Sequence, residues 1–195
     1  LQNSVLVDPQ PAPTSFSLES AWLPVFRNGL AGALANSFLV LASAETQASP
    51  DESVLAYHYA SNRRSEFAKQ VAFVSDKDGE VTVRHASLFG THVDKAVDGF
   101  AIEFEEAKFI AGRHWQKELV RIVNRPGWTV ADMEAWARVW FQAFVRHAGL
   151  DADAVLDKKT PVAGDHFDAV PRNLIVKPSG AGVFFDQEWR MVDSI

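Results

Sequence analysis

His166-Phe-Asp-Ala-Val-Pro-Arg-Asn-Leu-Ile-Val176, followed after a turn by Val183-Phe-Phe-Asp-Gln-Glu-Trp189, is the stretch on which the reading of the fold turns. Leu174-Ile-Val176 and Val183-Phe-Phe185 are short apolar runs separated by Lys177 to Gly182, the pattern of a strand, a turn and a strand. Asn173 opens the first strand and Asp186 closes the second, so pairing the two runs brings an amide oxygen and a carboxylate side by side. Asp168 precedes them in a loop that begins at His166. Phosphoryl transfer asks a protein mainly to position groups and to neutralise charge. It needs one carboxylate to orient or deprotonate the attacking hydroxyl, and oxygen ligands for magnesium. Asp168 fits the first task; Asn173 and Asp186 fit the second, because magnesium takes a few carboxylate or amide oxygens and completes its octahedron with water and phosphate.

Upstream of this stretch the hydrophobic period is helical. Trp115, Leu119, Ile122 and Val123 recur at helical spacing until Arg125-Pro126-Gly127 stops the run. Thr129 and Asp132 then form a capping-box-like start, with Asp in place of the usual Glu. The helix that follows is expected to carry Met133, Trp136, Val139, Trp140, Phe144 and Val145 on one apolar stripe and to end near Gly149. Such a stripe reads as core.

Further upstream the period changes to two. Val54 to Ala60, Phe67 to Ser75 and Glu80 to Leu88 read as strands, and Asp76-Lys-Asp-Gly79 between the last two is a hairpin signal. Phe100 to Phe104 and Ala107 to Ile110 add a further strand or pair. Ser37 to Ala42 is an apolar run of strand length, Trp22 to Leu34 a short helix or turn-rich approach, and the proline-bearing start a loop or edge. Ser43 to Ser53 reads as a linker. The division expected is an N-terminal segment over 1–48, a β-rich region over 49–112 and a helical region with the two loops over 113–195. Strands first, helices next and a loop-bearing hairpin last make an α+β arrangement.

Composition narrows the alternatives. The chain has 195 residues, 47% hydrophobic and 23% charged, enough to bury a core of one large domain or two small ones. The absence of cysteine excludes disulfides, thiolate catalysis and cysteine-ligated zinc, and suits a reducing cytoplasm. A formal net charge of -6 argues against a general nucleic-acid binder. The most apolar run, Gly29 to Ala44, is interrupted by Asn36 and Ser37 and falls short of the roughly 18 apolar residues a membrane helix needs. Leu1 to Pro13 has no basic region ahead of an apolar block, so no export signal is expected. The remaining histidines, His58, His85, His92, His114 and His147, lack metal-ligand spacing, and no Gly-x-Ser-x-Gly elbow marks a hydrolase.

His166-x-Asp168 followed by Asn173, with Asp186-x-Glu188, resembles the kinase superfamily and within it the aminoglycoside and choline kinase-like branch. The match is similar, more narrowly, to the kinase-like module found beside methyltransferase or glycosyltransferase domains in bacterial surface-polysaccharide proteins. Asn36-Ser-Phe-Leu-Val-Leu-Ala42 is similar to the final strand of the methyltransferase domain that precedes such modules. The resemblance implies a two-lobe protein-kinase-like fold with a shortened antiparallel N-lobe and a helical C-lobe. It implies ATP and magnesium as cofactors, a sugar or other small molecule as acceptor, Asp168 as catalytic base, Asn173 and Asp186 as metal ligands, and His166 and Glu188 as supports of the two loops. Ala107 to Trp115 resembles the hinge between the lobes.

Two parts of that pattern are not met. Ala60 to Phe67 lies where a phosphate-covering loop falls but contains no glycine; Arg63 and Arg64 are its phosphate-gripping alternatives. The strand lysine has two candidates, Lys69 on one hairpin strand and Arg84 on the other, and no amphipathic helix between Leu88 and Phe100 supplies its glutamate partner. Two functions therefore stand side by side: a kinase-like phosphotransferase, and a non-catalytic module attached to a methyltransferase or glycosyltransferase. A third makes the first residues the remnant of an S-adenosylmethionine-dependent methyltransferase.

Overall fold

A computed structural model of the protein describes residues 18–35, 44, 53–90, 96, 98–151 and 160–192. The proline-bearing start, the run from Asn36 to Ala42, most of the linker and part of the stretch between Leu88 and Phe100 lie outside the described residues. The chain is α+β, in two compact units that divide between Thr91 and His92.

In the first unit, helix α1 (Leu18–Arg27) and the single turn α2 (Ala31–Leu34) occupy the segment read as a helix or a turn-rich approach. Asn28, Gly29 and Leu30 separate them. Gly29 takes a φ of 69°, and the Asn28 side chain donates to the Pro24 carbonyl at 2.8 Å. Strands β1 (Val54–Ala60), β2 (Lys69–Ser75) and β3 (Val81–Ser87) then form an antiparallel meander. Its register pairs Ala60 with Lys69 and Lys69 with Ser87, with a bulge between Val54 and Ala56. The hairpin expected at Asp76-Lys-Asp-Gly79 is present, with a mechanical cause. The Asp76 carboxylate accepts from the main-chain N–H groups of Asp78 and Glu80, both at 2.9 Å, and Gly79 supplies the φ of 81° that closes the turn.

In the second unit, β4 (Phe100–Ile102), the two-residue strand β5 (Ala107–Lys108) and β6 (Arg113–His114) lead into helix α3 (Trp115–Val123). Helix α4 (Val130–His147) begins at the Thr129–Asp132 capping box, with both of its reciprocal hydrogen bonds formed. The two helices are tied by a matched pair of bonds: the Trp115 indole N–H donates to the Trp136 carbonyl and the Trp136 indole N–H to the Trp115 carbonyl, each at 3.1 Å. Strand β7 (Leu174–Val176) pairs antiparallel with β6 and with β8 (Gly182–Phe184), and β9 (Trp189–Met191) pairs with β4.

The core of this unit lies between the helices and the β7–β8 hairpin. Trp115, Ala143, Ala169, Leu174, Val176 and Phe184 are buried together, and Trp136, Val139, Trp140 and Phe144 of the expected stripe pack against them. Close approach is enforced at Gly182, where a Cβ would meet the Ala143 methyl at 2.9 Å. Among the described residues, no helix is long and apolar enough to cross a membrane.

Candidate functional site

The loop carrying Asp168 is built from two 3-10 turns, Gly164–His166 and Pro171–Asn173. Proline at the first position of the second turn suits a helical start, because its missing N–H would have no partner there. Between the turns the main chain is held by side chains from elsewhere in the unit. The Trp140 indole N–H donates to the Ala169 carbonyl at 2.8 Å. The Asn173 side-chain amide donates to the Asp168 carbonyl at 3.0 Å, and the Gln187 side-chain amide donates to the same carbonyl at 2.7 Å. The Val170 N–H is a third donor to it, at 2.8 Å. Two successive carbonyls are thus anchored, which fixes the direction in which the Asp168 side chain leaves the backbone.

Asp168 and Asn173 are both buried, at 8% and 5% exposure. Because the Asn173 NH2 group is spent on the Asp168 carbonyl, its Oδ1 is the end of the amide that can ligate a cation. The expected strand pairing holds: Leu174 faces Phe184, Ile175 faces Val183 and Val176 faces Gly182, and the Phe185 N–H continues the ladder to the Asn173 carbonyl at 2.9 Å. Asn173 itself closes the 3-10 turn, one residue before the strand begins.

Asp186 follows immediately on that ladder with a φ of 57°. Left-handed backbone is uncommon outside glycine, although aspartate tolerates it better than most residues. Such a conformation persists when its surroundings over-determine it, and here Phe185 on one side is bonded to Asn173 while Gln187 on the other is bonded to Asp168. Glu188 is buried to 3% exposure, and its carbonyl accepts from the Glu103 N–H at 2.9 Å.

His166 closes the first 3-10 turn, and its ring makes an aromatic contact. Its ring stands edge-on to His147 with centroids 5.0 Å apart, and its buried Nδ1 has no hydrogen-bond partner among the described residues. His147 also packs on Phe184 at 5.0 Å. The partial burial of the His147 ring and the neighbouring His166 charge lower its pKa below the ordinary histidine value, against an opposing contribution from Gln187.

The two expected nucleotide-side cations belong to the first unit and differ sharply from each other. Lys69, at the start of β2, is 2% exposed, whereas Arg84 on β3 is exposed to solvent. A lysine buried to that degree is unusual and requires interactions that compensate its charge. Arg63 and Arg64 immediately precede a 3-10 turn over Ser65–Phe67, and Arg64 is engaged with Glu66 at 3.1 Å.

Two features had no counterpart in the sequence reading. Gln187 bridges the two loops through a side-chain bond to the main chain. A cleft of about 330 Å³, lined by Ala96, Ala101, Asp165, Arg190, Met191 and Val192, opens beside the first 3-10 turn. Both depend on residues brought together from distant positions.

The oxygen donors fit magnesium in kind: an amide oxygen whose NH2 is committed elsewhere, and a carboxylate on an over-determined turn. No group of three or more His, Asp or Glu side chains that could hold an ion by itself is present among the described residues. The expected set is of the smaller sort, in which water and phosphate supply the remaining ligands. Compared with protein-family models, with curated proteins and with solved structures, the chain matches none significantly.

Proposed function

We propose that this protein is a kinase-like phosphotransferase that moves the terminal phosphate of ATP to a hydroxyl of a sugar or another small polar molecule. The observation that carries the reading is the Asp168 carbonyl, on which the side chains of Asn173 and Gln187 converge. A loop bearing a carboxylate and a loop bearing a second carboxylate are thereby held as one body, as phosphoryl transfer requires of a base and a metal ligand.

In this reading the Asp168 carboxylate orients the acceptor hydroxyl and takes its proton. The acceptor oxygen forms a bond to the terminal phosphorus, the bond from that phosphorus to the bridging oxygen breaks, and ADP leaves with the electron pair. Asn173 Oδ1 and the Asp186 carboxylate would hold magnesium, which would supply charge neutralisation at the phosphates. Glu188 and His166 support the two loops. Lys69, which is buried, and Arg84, which is exposed, are the two cations proposed for the nucleotide.

Transfer is tested with Mg·ATP and a panel of sugars, amino sugars and polyols, following ADP release. Asp168→Ala is expected to abolish acceptor-dependent release while leaving nucleotide affinity near that of the wild type. Normal turnover by Asp168→Ala removes Asp168 from the role of base.

One observation favours a second reading, a non-catalytic module that docks a methyltransferase or glycosyltransferase partner. The segment Ala60 to Phe67 has no glycine and contains a 3-10 turn whose Glu66 is paired with the preceding Arg64. Binding of ATP without turnover on any acceptor supports this reading over the first.

A further inference from the structure

Gln187 is the middle residue of Asp186-Gln-Glu188, and nothing in the residue types at that spacing assigns it a task. Its side chain nevertheless reaches back across the chain to the Asp168 carbonyl at 2.7 Å, the shortest of the three bonds that carbonyl accepts. The amide is oriented unambiguously by its neighbours. Its NH2 lies between two main-chain carbonyls, Asp168 at 2.7 Å and Phe185 at 3.5 Å, both of which can only accept. Its Oε1 is buried, and the Gln187 side chain also interacts with His147, favouring the protonated form of that ring.

The position of Gln187 gives the bond its consequence. The residue before it, Asp186, holds a φ of 57°, and the residue after it, Glu188, is buried. Swinging the Gln187 side chain away would release the peptide that follows Asp186 and free the turn to relax out of the left-handed region. The Asp168 carbonyl would lose its closest donor at the same moment. Asn173 cannot substitute for this tie, since it lies next to the base loop in sequence and secures that loop only to the start of β7.

We propose that Gln187 is a positioning residue, which sets the spacing of the Asp186 carboxylate and the Asp168 carboxylate by clamping the metal loop to the base loop. The role rests on the phosphotransfer reading given above. Gln187 acts through the backbone of Asp168 and the conformation of Asp186.

The test compares wild type and Gln187→Met, which preserves length and apolar bulk but has no donor. Amide hydrogen exchange is followed over Gly164–Asn173 and over 185–188, and Mg·ATP and magnesium-free ATP are titrated in parallel. The clamp predicts exchange about tenfold faster confined to those two segments, the factor carried by one hydrogen bond of ordinary net strength. It also predicts Mg·ATP affinity about tenfold weaker, with magnesium-free ATP unaffected. Wild-type exchange in both loops overturns the proposal. Faster exchange with unchanged Mg·ATP affinity overturns it too, since the residue is then only structural. If the wild type itself takes up no Mg·ATP, the phosphotransfer reading has failed and the positioning role fails with it, while the exchange result still separates that failure from the absence of a clamp. Where Gln187→Met does not fold, Gln187→Glu is measured in its place; it is isosteric and sets an acceptor against the Asp168 carbonyl, so the same outcomes apply.

Discussion

The side-chain amide of Asn173 donates to the main-chain carbonyl of Asp168 at 3.0 Å, with both residues buried. The bond secures the loop and, in the proposed function, also decides which end of the amide would be presented to a cation. Two substitutions separate these roles. Asn173→Ala removes the donor but leaves the Asp168 carbonyl its bonds from Gln187 and Val170, so a cost of about 1 kcal/mol is expected. Asn173→Asp sets an acceptor against an acceptor and is expected to cost ~2–3 kcal/mol. Urea denaturation of both variants checks the order; equal costs would contradict the hydrogen-bond assignment.

Gly112 precedes β6 where the chain runs against β7. A Cβ there would collide with the Ile175 side chain and lie 2.7 Å from the Val176 carbonyl oxygen. The side chain can shift, but the carbonyl belongs to a paired strand and cannot move without loss of the ladder. Gly112→Ala is therefore expected to destabilise the second unit by ~1–3 kcal/mol, the usual range for overpacking. A melting temperature equal to that of the wild type would show that β6 and β7 are less closely packed than described.

The Asp132 carboxylate is held down to about 2 from an ordinary 3.8, chiefly by the Thr129 hydroxyl, then by the Thr129 N–H and Arg125. A carboxylate depressed in the folded state contributes stability that is present above its unfolded pKa and is lost as pH falls through the folded one. The capping of α4 should thus weaken between about pH 4 and about pH 2. Asp132→Asn should remove that part of the acid dependence. A carboxyl titration followed by NMR checks it, and an Asp132 midpoint at the ordinary value would contradict the capping box.

His147 carries the opposite chemistry with a matching sign. Its pKa is lowered by the partial burial of its ring and by the His166 charge, so the unfolded chain binds a proton more readily than the folded one. Stability from this site rises with pH and is lost as pH falls through the histidine range toward the depressed folded value. His166→Gln removes one of the two causes and is expected to raise the His147 pKa, read from the pH dependence of its ring proton shifts. A His147 titration unmoved by His166→Gln would mean that the two rings are not electrostatically coupled.

How much of this was legible from the residues depended on whether the cause was local. The meander over β1–β3 and its Asp-Gly turn followed from a period of two and an Asx-type turn, both confined to adjacent residues. Helix α4 followed from Thr129, Asp132 and the aromatic stripe, all within one element. The approach of Asn173 to the end of β8 followed from the lengths of two apolar runs. Burial of Lys69 did not, because a lysine at the start of a strand carries no local sign of what covers it; it reads as a solvated cation and is 2% exposed. Nor did Gln187, whose partner is a main-chain carbonyl and hence leaves no mark in the residue type at position 168. The turn-rich approach before Leu34 resolved into two helices because Gly29 can adopt a positive φ that ends the first of them.

The most direct test of the account is calorimetric titration of ATP into the protein with and without magnesium, repeated on Asp186→Ala. Magnesium-dependent binding is expected in the wild type and lost in Asp186→Ala, with any residual magnesium-free affinity equal in the two proteins. Magnesium-dependent binding that survives Asp186→Ala, or no binding of ATP to the wild type, would contradict the assignment of Asn173 and Asp186 to a nucleotide-metal site.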